Sequence, residues 1–387
     1  MKKNFLLILS IIIIFPILIF FNLDNLRSYI KSNLPGSYKL TIKKIIFGQN
    51  YLDEVSYYRK LGYNVRKFPD TQFFELDIKK YKINDITDSA ESHYNLIKGI
   101  SAPKTKLFLA SDEENLILTS STGQLRFIKD LKFQNIIKIQ SNLSEIKDIE
   151  VMDTLIFEDT MYVSLKADKN KEKNCDYFNV YAATFGKEQK KLNFKNIYKN
   201  NFCAKNNYGG RLHNGNFESE KGIYITTGAT ESEQLFAQDP QSMLGKVIFL
   251  NLKSLQTTIV SLGHRNPQGL EIHDDKIVAT EHGPYGGDEI NLIIKGNNYG
   301  WPIVSHGDTY EFEKLDSEER KNLQNFNLKK DHKINYFNDP IYSFVPSIGI
   351  SQIIHLPNNF SKYWQNNYLV TSLNGGSIFR LNFDRDL

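Results

Sequence analysis

The chain has 387 residues and a net charge of +4, and its lysines are spread along its length. That spread excludes the concentrated basic footprint of a nucleic-acid-binding protein, while the length suffices for one large β domain or two ordinary ones. Two cysteines, Cys175 and Cys203, exclude a cysteine-rich metal cluster and leave open a disulfide or a pair of buried thiols.

The first predicted element is an apolar run from Phe5 to Phe21, preceded by Lys2 and Lys3. Its length is near the lower limit for a membrane span. Asn22-Leu23-Asp24-Asn25-Leu26 follows, with no small-residue cleavage step. Residues 1–22 therefore read as an uncleaved membrane anchor. The lysines place its N-terminus in the cytoplasm, so the body faces the periplasm or the cell exterior. Residues 23–100 are rich in Tyr and charge and have no clean period; they form a membrane-proximal segment of unclear fold.

From about residue 101 the pattern changes. The 26 Phe and 21 Tyr, with many Ile, Val and Thr runs, favour strands. A strand pair recurs: NLILTSSTGQLRFI from Asn115, MYVSLKAD from Met161 with NVYAATFG, GIYITTGA from Gly222 with GKVIFLNL, KIVATEHG from Lys276 with DEINLII, and NYLVTSLNGGSIFRLNF from Asn367. A short acidic or polar turn often precedes the pair, as in SDEE, FEDT, ESEK, HDD and WQNN. Strand pairs at such spacing predict an all-β fold with propeller blades over residues 101–387; the alternative is a β-sandwich built of hairpins. A charged insertion, roughly His306 to Asn338, reads as a surface loop.

Chemistry concentrates in three stretches. Gly263–Leu270 reads GHRNPQGL, Glu281–Asn291 reads EHGPYGGDEIN and Gly296–Pro302 reads GNNYGWP. Arg265 offers a rigid fork of donors suited to a carboxylate, and Asn266 both donates and accepts. Gly/Pro loops expose main-chain carbonyls, and the adjacent carboxylates complete an oxygen-rich set of the kind calcium prefers. Each motif alone also fits an ordinary surface turn with solvated charges.

Together the three motifs resemble the glucose/sorbosone dehydrogenase family, the soluble quinoprotein sugar dehydrogenases, and in particular its aldose sugar dehydrogenase branch. Weaker agreement runs over residues 205–387, through Gly209–Leu212, Ile225–Gly228, Leu244–Lys246 and Pro346–Ile348. The resemblance implies a six-bladed β-propeller with pyrroloquinoline quinone (PQQ) over its central opening. It implies that calcium is held by the carbonyls of Gly283 and Pro284, that Arg265 and Asn266 hold the quinone, and that Glu289 with Tyr299 serve a second calcium. It further implies a small-molecule sugar substrate, with a histidine taking the proton of the anomeric hydroxyl, an aspartate supporting that histidine, and hydride passing to the quinone.

The chain departs from that pattern at several places. Asn207, in KNNYGGRL, stands at the histidine position, and a carboxamide has no basic nitrogen. Ala229 stands at the aspartate position, and the loop Ser372–Gly376 lacks a lysine that relatives place near the cofactor. No catalytic residue is therefore assigned; His213 is a substitute base only if it lies at the site. The fifth strand pair is followed by too little sequence for a sixth blade, so either residues 36–100 replace that blade or the sequence is truncated. The expected function is a PQQ-dependent sugar dehydrogenase-like protein. The alternative is a non-catalytic calcium-binding propeller that binds sugar or a protein partner.

Overall fold

A computed structural model of the chain describes residues 106–112, 114–131, 136–186, 190–205, 209–308, 328–360, 364–373 and 377–383. The expected anchor over residues 1–22, the segment 23–100 and any replacement blade from residues 36–100 lie outside the described residues. Among the described residues no helix is long and apolar enough to cross a membrane.

The described strands form five sheets. The first contains β1 (Leu107–Ser111), β2 (Leu116–Ser120), β3 (Leu125–Ile128) and β4 (Ile136–Ser141). The second contains β5 (Glu150–Phe157), β6 (Thr160–Asn170), β7 (Cys175–Thr184) and β9 (Lys195–Ala204). Between β7 and β9 the chain leaves the second sheet, and β8 (Lys191–Leu192) joins the edge of the first, parallel to β4. The third contains β10 (Gly209–Phe217), β11 (Glu220–Thr227), β12 (Lys246–Asn251) and β13 (Thr257–Leu262). The fourth contains β14 (Pro267–His273), β15 (Lys276–Glu281), β16 (Asp288–Ile293) and β17 (Tyr342–Phe344), and the fifth β18 (Ile350–His355), β19 (Tyr368–Ser372) and β20 (Ser377–Leu381).

The first strand of each sheet packs against the first strand of the next: β1 on β5, β5 on β10, β10 on β14 and β14 on β18. That is the radial order of propeller blades, and it rules out two sheets stacked face to face. Six blades were expected and five are present among the described residues. No contact of comparable extent joins β18 to β1 there. The shortfall has a sequence cause: the sequence from residue 101 shows five strand-pair repeats, and each of them supplies the second and third strands of one sheet.

Alternation explains how the blades adhere. On β11, Ile223 and Ile225 point toward the second sheet, into a cluster with Tyr162, Phe178 and Val180, while Tyr224 points the other way, onto Leu270 and Ala279 of the fourth. Each such side chain, fully buried, contributes about 2 kcal/mol from removal of apolar surface. The polar turns before the second strands supply left-handed residues. Glu218 and Ser219 (φ 49° and 68°) and Asp274 and Asp275 (φ 47° and 61°) make two-residue hairpin loops with both central residues at positive φ, matching the right-handed strand twist.

Cys175 and Cys203 are bonded, which resolves the two readings left by sequence. They lie near paired ends of β7 and β9, 28 residues apart in the chain. Closing that loop restricts the unfolded chain by about 3.5 kcal/mol on the entropy model. Replacing both cysteines by serine is expected to lower the stability measured by urea unfolding by roughly 2–4 kcal/mol.

The insertion is a surface loop only in part. Its described residues carry no strand, and Tyr336 is exposed, but His332 is only 1% exposed.

Candidate functional site

The three motifs meet at one end of the third and fourth sheets. The loop Gly263–Asn266, between β13 and β14, is tied down through its main chain. Gly263 donates to the Ala237 carbonyl (3.0 Å) and His264 to that of Gly245 (3.1 Å), and Ala229 donates to the carbonyl of Arg265 (2.8 Å). The His264 ring is fully buried and stacks on Tyr299 with centroids 4.7 Å apart. Its Nε2 lies 2.8 Å from Ser261 Oγ and its Nδ1 2.9 Å from Glu281 Oε2. The other Glu281 oxygen accepts from the main-chain N–H of Arg265. His264 and Glu281 thus hold the backbone from which the Arg265 side chain projects. That guanidinium donates to the His282 carbonyl (3.2 Å) and lies 5.3 Å from the Trp301 ring.

The loop His282–Gly287, between β15 and β16, is held by Asp288, which is fully buried. One Asp288 oxygen accepts from Gly283 N (3.1 Å), and the other accepts from Ile348 N (3.1 Å) and Ile350 N (2.9 Å). One carboxylate therefore joins the loop to the start of the fifth sheet. A side chain at position 283 would place its Cβ 2.1 Å from the Gly286 carbonyl oxygen, so only glycine allows that turn. Among the described residues nothing donates to the carbonyls of Gly283 or Pro284. Two adjacent acceptors without donors, close to Asp288 and Glu289, suit a hard cation.

A narrow cleft is lined by Arg265, Glu281, His282, Gly283, Glu289, Tyr299 and Trp301. Four of the six residues expected at the site therefore line one cleft. The others, Asn266 and Pro284, adjoin them in the chain. The Asn266 carboxamide oxygen accepts from Gln268 Nε2 (2.7 Å) and Gly209 N (3.3 Å), which ties the motif to the start of β10.

Electrostatics favour a cation here. Burial pushes the Glu289 carboxyl well above the usual range, and the neighbouring charges of Glu281 and Asp288 push it further. Burial lowers the His282 pKa, opposed by Asp288. The Tyr299 phenol is pushed up to about 12 by burial; it donates to the Leu292 carbonyl and accepts from Ile294 N (3.0 Å). A contribution of Tyr299 to a metal would therefore come from its main-chain carbonyl.

Asn207 and residues 374–376 of the lysine-free loop lie outside the described residues. Ala229 is fully buried in an apolar cluster with Ala204, Ala237, Leu244 and Trp301, and its carbonyl accepts from Trp301 Nε1 (2.7 Å). His213 is not at the cleft. It stands four residues along β10 from Gly209, about 13 Å at strand rise, with Nε2 3.9 Å from Glu271 Oε1. Sequence reasoning missed the positioning roles of His264, Glu281 and Asp288, although all three stand inside the motifs it singled out.

Glu271 carries its own expectation. Burial pushes its carboxyl up to about 7 from 4.5. The folded state then binds more protons than the unfolded one between those values, so stability is greatest below about pH 4.5 and falls as pH rises toward 7. Glu271→Gln is expected to remove this slope and to raise stability at about pH 8 by up to ~3 kcal/mol. Urea unfolding across pH measures it; an unchanged slope would contradict it.

The comparisons with known proteins bear on the family and the fold. The family model described as Glucose / Sorbosone dehydrogenase matches residues 102–387. The aldose sugar dehydrogenase YliI of Escherichia coli (strain K12) is 34% identical over 120 residues, covering 27% of this chain and 31% of that protein. Quinoprotein glucose dehydrogenase B of Acinetobacter calcoaceticus is 42% identical over 85 residues, 19% of this chain and 18% of that protein. These matches thus span less than a third of each relative. Among solved structures, the apo form of the soluble aldose sugar dehydrogenase from Escherichia coli aligns with a TM-score of 0.58 at 20% identity, over 72% of this chain and 83% of that one. The PQQ-bound aldose sugar dehydrogenase from Streptomyces coelicolor aligns with a TM-score of 0.53 at 16% identity, over 73% and 81%. At such identities these structures speak to the fold.

Proposed function

This chain belongs to the glucose/sorbosone dehydrogenase family, and we propose on that premise that its cleft binds PQQ with calcium and serves the oxidation of a small sugar. The observation that carries the reading is the meeting of Arg265 and Gly283 at one cleft, where the Gly283 carbonyl and that of the adjoining Pro284 have no donor among the described residues. Bound there, PQQ would supply a hydride acceptor and calcium a Lewis acid. The residues of the chain would do the rest. Arg265 would bind quinone oxygens or carboxylates through charge-assisted bonds, Asn266 would set the register of that loop against β10, and Trp301 would cover the guanidinium and exclude water. Glu289 is the residue for a second cation beside the first.

The proton step has no owner among the described residues at the expected positions. Ala229 offers no carboxylate to support a base, and its apolar surroundings favour the second reading, a calcium-binding propeller that binds sugar or a protein partner without turnover. The Cys175–Cys203 bond supports an exported body in an oxidising compartment. This agrees with residues 1–22 as an anchor and residues 23–387 facing the periplasm or cell exterior.

Dye reduction by the full chain, supplied with PQQ, calcium and a panel of aldoses, tests the two readings. Sugar-dependent reduction supports the dehydrogenase. Quinone binding without reduction supports the non-catalytic propeller, and Asn207→His combined with Ala229→Asp is then expected to create turnover.

A further inference from the structure

His332 is buried to 99%, yet among the described residues neither of its ring nitrogens has a hydrogen-bond partner. Leaving a polar group without partners in the interior is destabilising, and histidine is the commonest metal ligand. Its surroundings suggest what the two nitrogens meet. Nε2 faces Glu289 Oε1 at 3.8 Å, Nδ1 faces Asp339 Oδ1 at 3.8 Å, and the ring stacks against His306 with centroids 4.8 Å apart. One ligand atom each from Glu289, His306 and His332 lies within 4.8 Å of the other two. Asn291 Nδ2 donates to the other Glu289 oxygen (3.3 Å), which leaves Oε1 turned toward His332.

We propose that Glu289, His306 and His332 form a binding site for a divalent transition metal of the zinc class, with Asp339 positioning the His332 ring. Two ligand atoms each about 2.1 Å from a metal can be at most about 4.2 Å apart. The 3.8 Å gap between His332 Nε2 and Glu289 Oε1 therefore admits an ion, and the His306 ligand atom, within 4.8 Å of both, would close in on binding. Two imidazoles and one carboxylate select borderline metals such as zinc or cobalt, whereas calcium requires oxygen ligands throughout. A carboxylate on the far nitrogen of a ligating histidine fixes the tautomer and raises ligand basicity, which is the place Asp339 occupies. The metal would bind three separate chain segments together. Glu289 belongs to β16, His306 follows the third motif, and His332 belongs to the return of the insertion, whose residues 309–327 lie outside the described set. Glu289 and Ser305 also line the cleft, so the ion would stand beside the proposed quinone site and lend it rigidity. The site requires neither quinone nor turnover, and it takes Glu289 for this ion in place of a second calcium.

The test uses the full chain without a polyhistidine tag, stripped with chelator and kept in excess calcium to fill oxygen-only sites. Cobalt, and zinc in competition with a chromophoric chelator, are titrated. One equivalent of cobalt with intense visible bands, displaced by zinc and indifferent to calcium, is expected. His306→Ala and His332→Ala are each expected to weaken binding at least ~100-fold and Glu289→Gln at least ~10-fold, whereas His355→Ala, at the stacked His273–His355 pair elsewhere, leaves it unchanged. His306 is only half-buried, so its variant keeps the test valid if His332→Ala fails to fold. No stoichiometric binding by folded wild-type protein, full displacement by calcium, or unchanged affinity in His306→Ala would overturn the proposal.

Discussion

Arg265→Ala is expected to abolish measurable PQQ binding while leaving a folded protein. The Arg265 side chain is 6% exposed, and its main-chain N–H is held by Glu281 whatever the side chain. Truncation therefore removes the guanidinium without releasing the loop. A charge-assisted hydrogen bond contributes about 1.5–3 kcal/mol, so losing a bidentate contact to a quinone carboxylate should weaken binding by at least ~100-fold. Arg265→Lys keeps the charge but not the planar fork, and an intermediate loss is expected. Fluorescence titration of the quinone in the presence of calcium checks both variants. Equal affinity in wild type and Arg265→Ala would remove Arg265 from the site.

Asp288→Ala is expected to have the largest effect on stability among substitutions near the cleft. It would orphan three main-chain donors, those of Gly283, Ile348 and Ile350. Ile348 and Ile350 are fully buried, so water does not replace the lost acceptor. At roughly 1–3 kcal/mol per orphaned donor, the expected loss is about 3–5 kcal/mol, and calcium affinity should fall because the Gly283–Pro284 turn loses its anchor. Urea unfolding and calcium titration read the two effects separately. A loss below about 1 kcal/mol would mean that the fifth sheet and the loop hold each other by other contacts.

The five blades were legible because their middle strands are apolar on both faces. In β11 and β12, Ile223, Tyr224, Ile225, Val247, Ile248, Phe249 and Leu250 are all buried between neighbouring sheets. The inner strands were harder to see because their side chains also serve polar contacts. Arg211 on β10 reaches the Met152 carbonyl (3.2 Å) and Gln268 (2.9 Å), and Asp153 on β5 accepts from Leu212 N (2.9 Å). Such residues break the apolar alternation that marks a strand. The cleft was legible as a set of Gly-, Pro- and Asn-rich loops, because turns with exposed carbonyls require those residues. The role of Asp288 was not, because its partners are main-chain N–H groups about sixty residues away. Neither was the meeting of Glu289 with His332, which depends on where the insertion returns. The cysteine pairing followed only once β7 and β9 were found side by side, since a spacing of 28 residues implies nothing by itself.

The measurement that tests the central claim most directly is calorimetric titration of PQQ into the full chain, with and without calcium. Tight one-to-one binding that requires calcium is the predicted result. A folded sample that binds no quinone at any calcium concentration would contradict it, and would leave the family resemblance as a matter of fold.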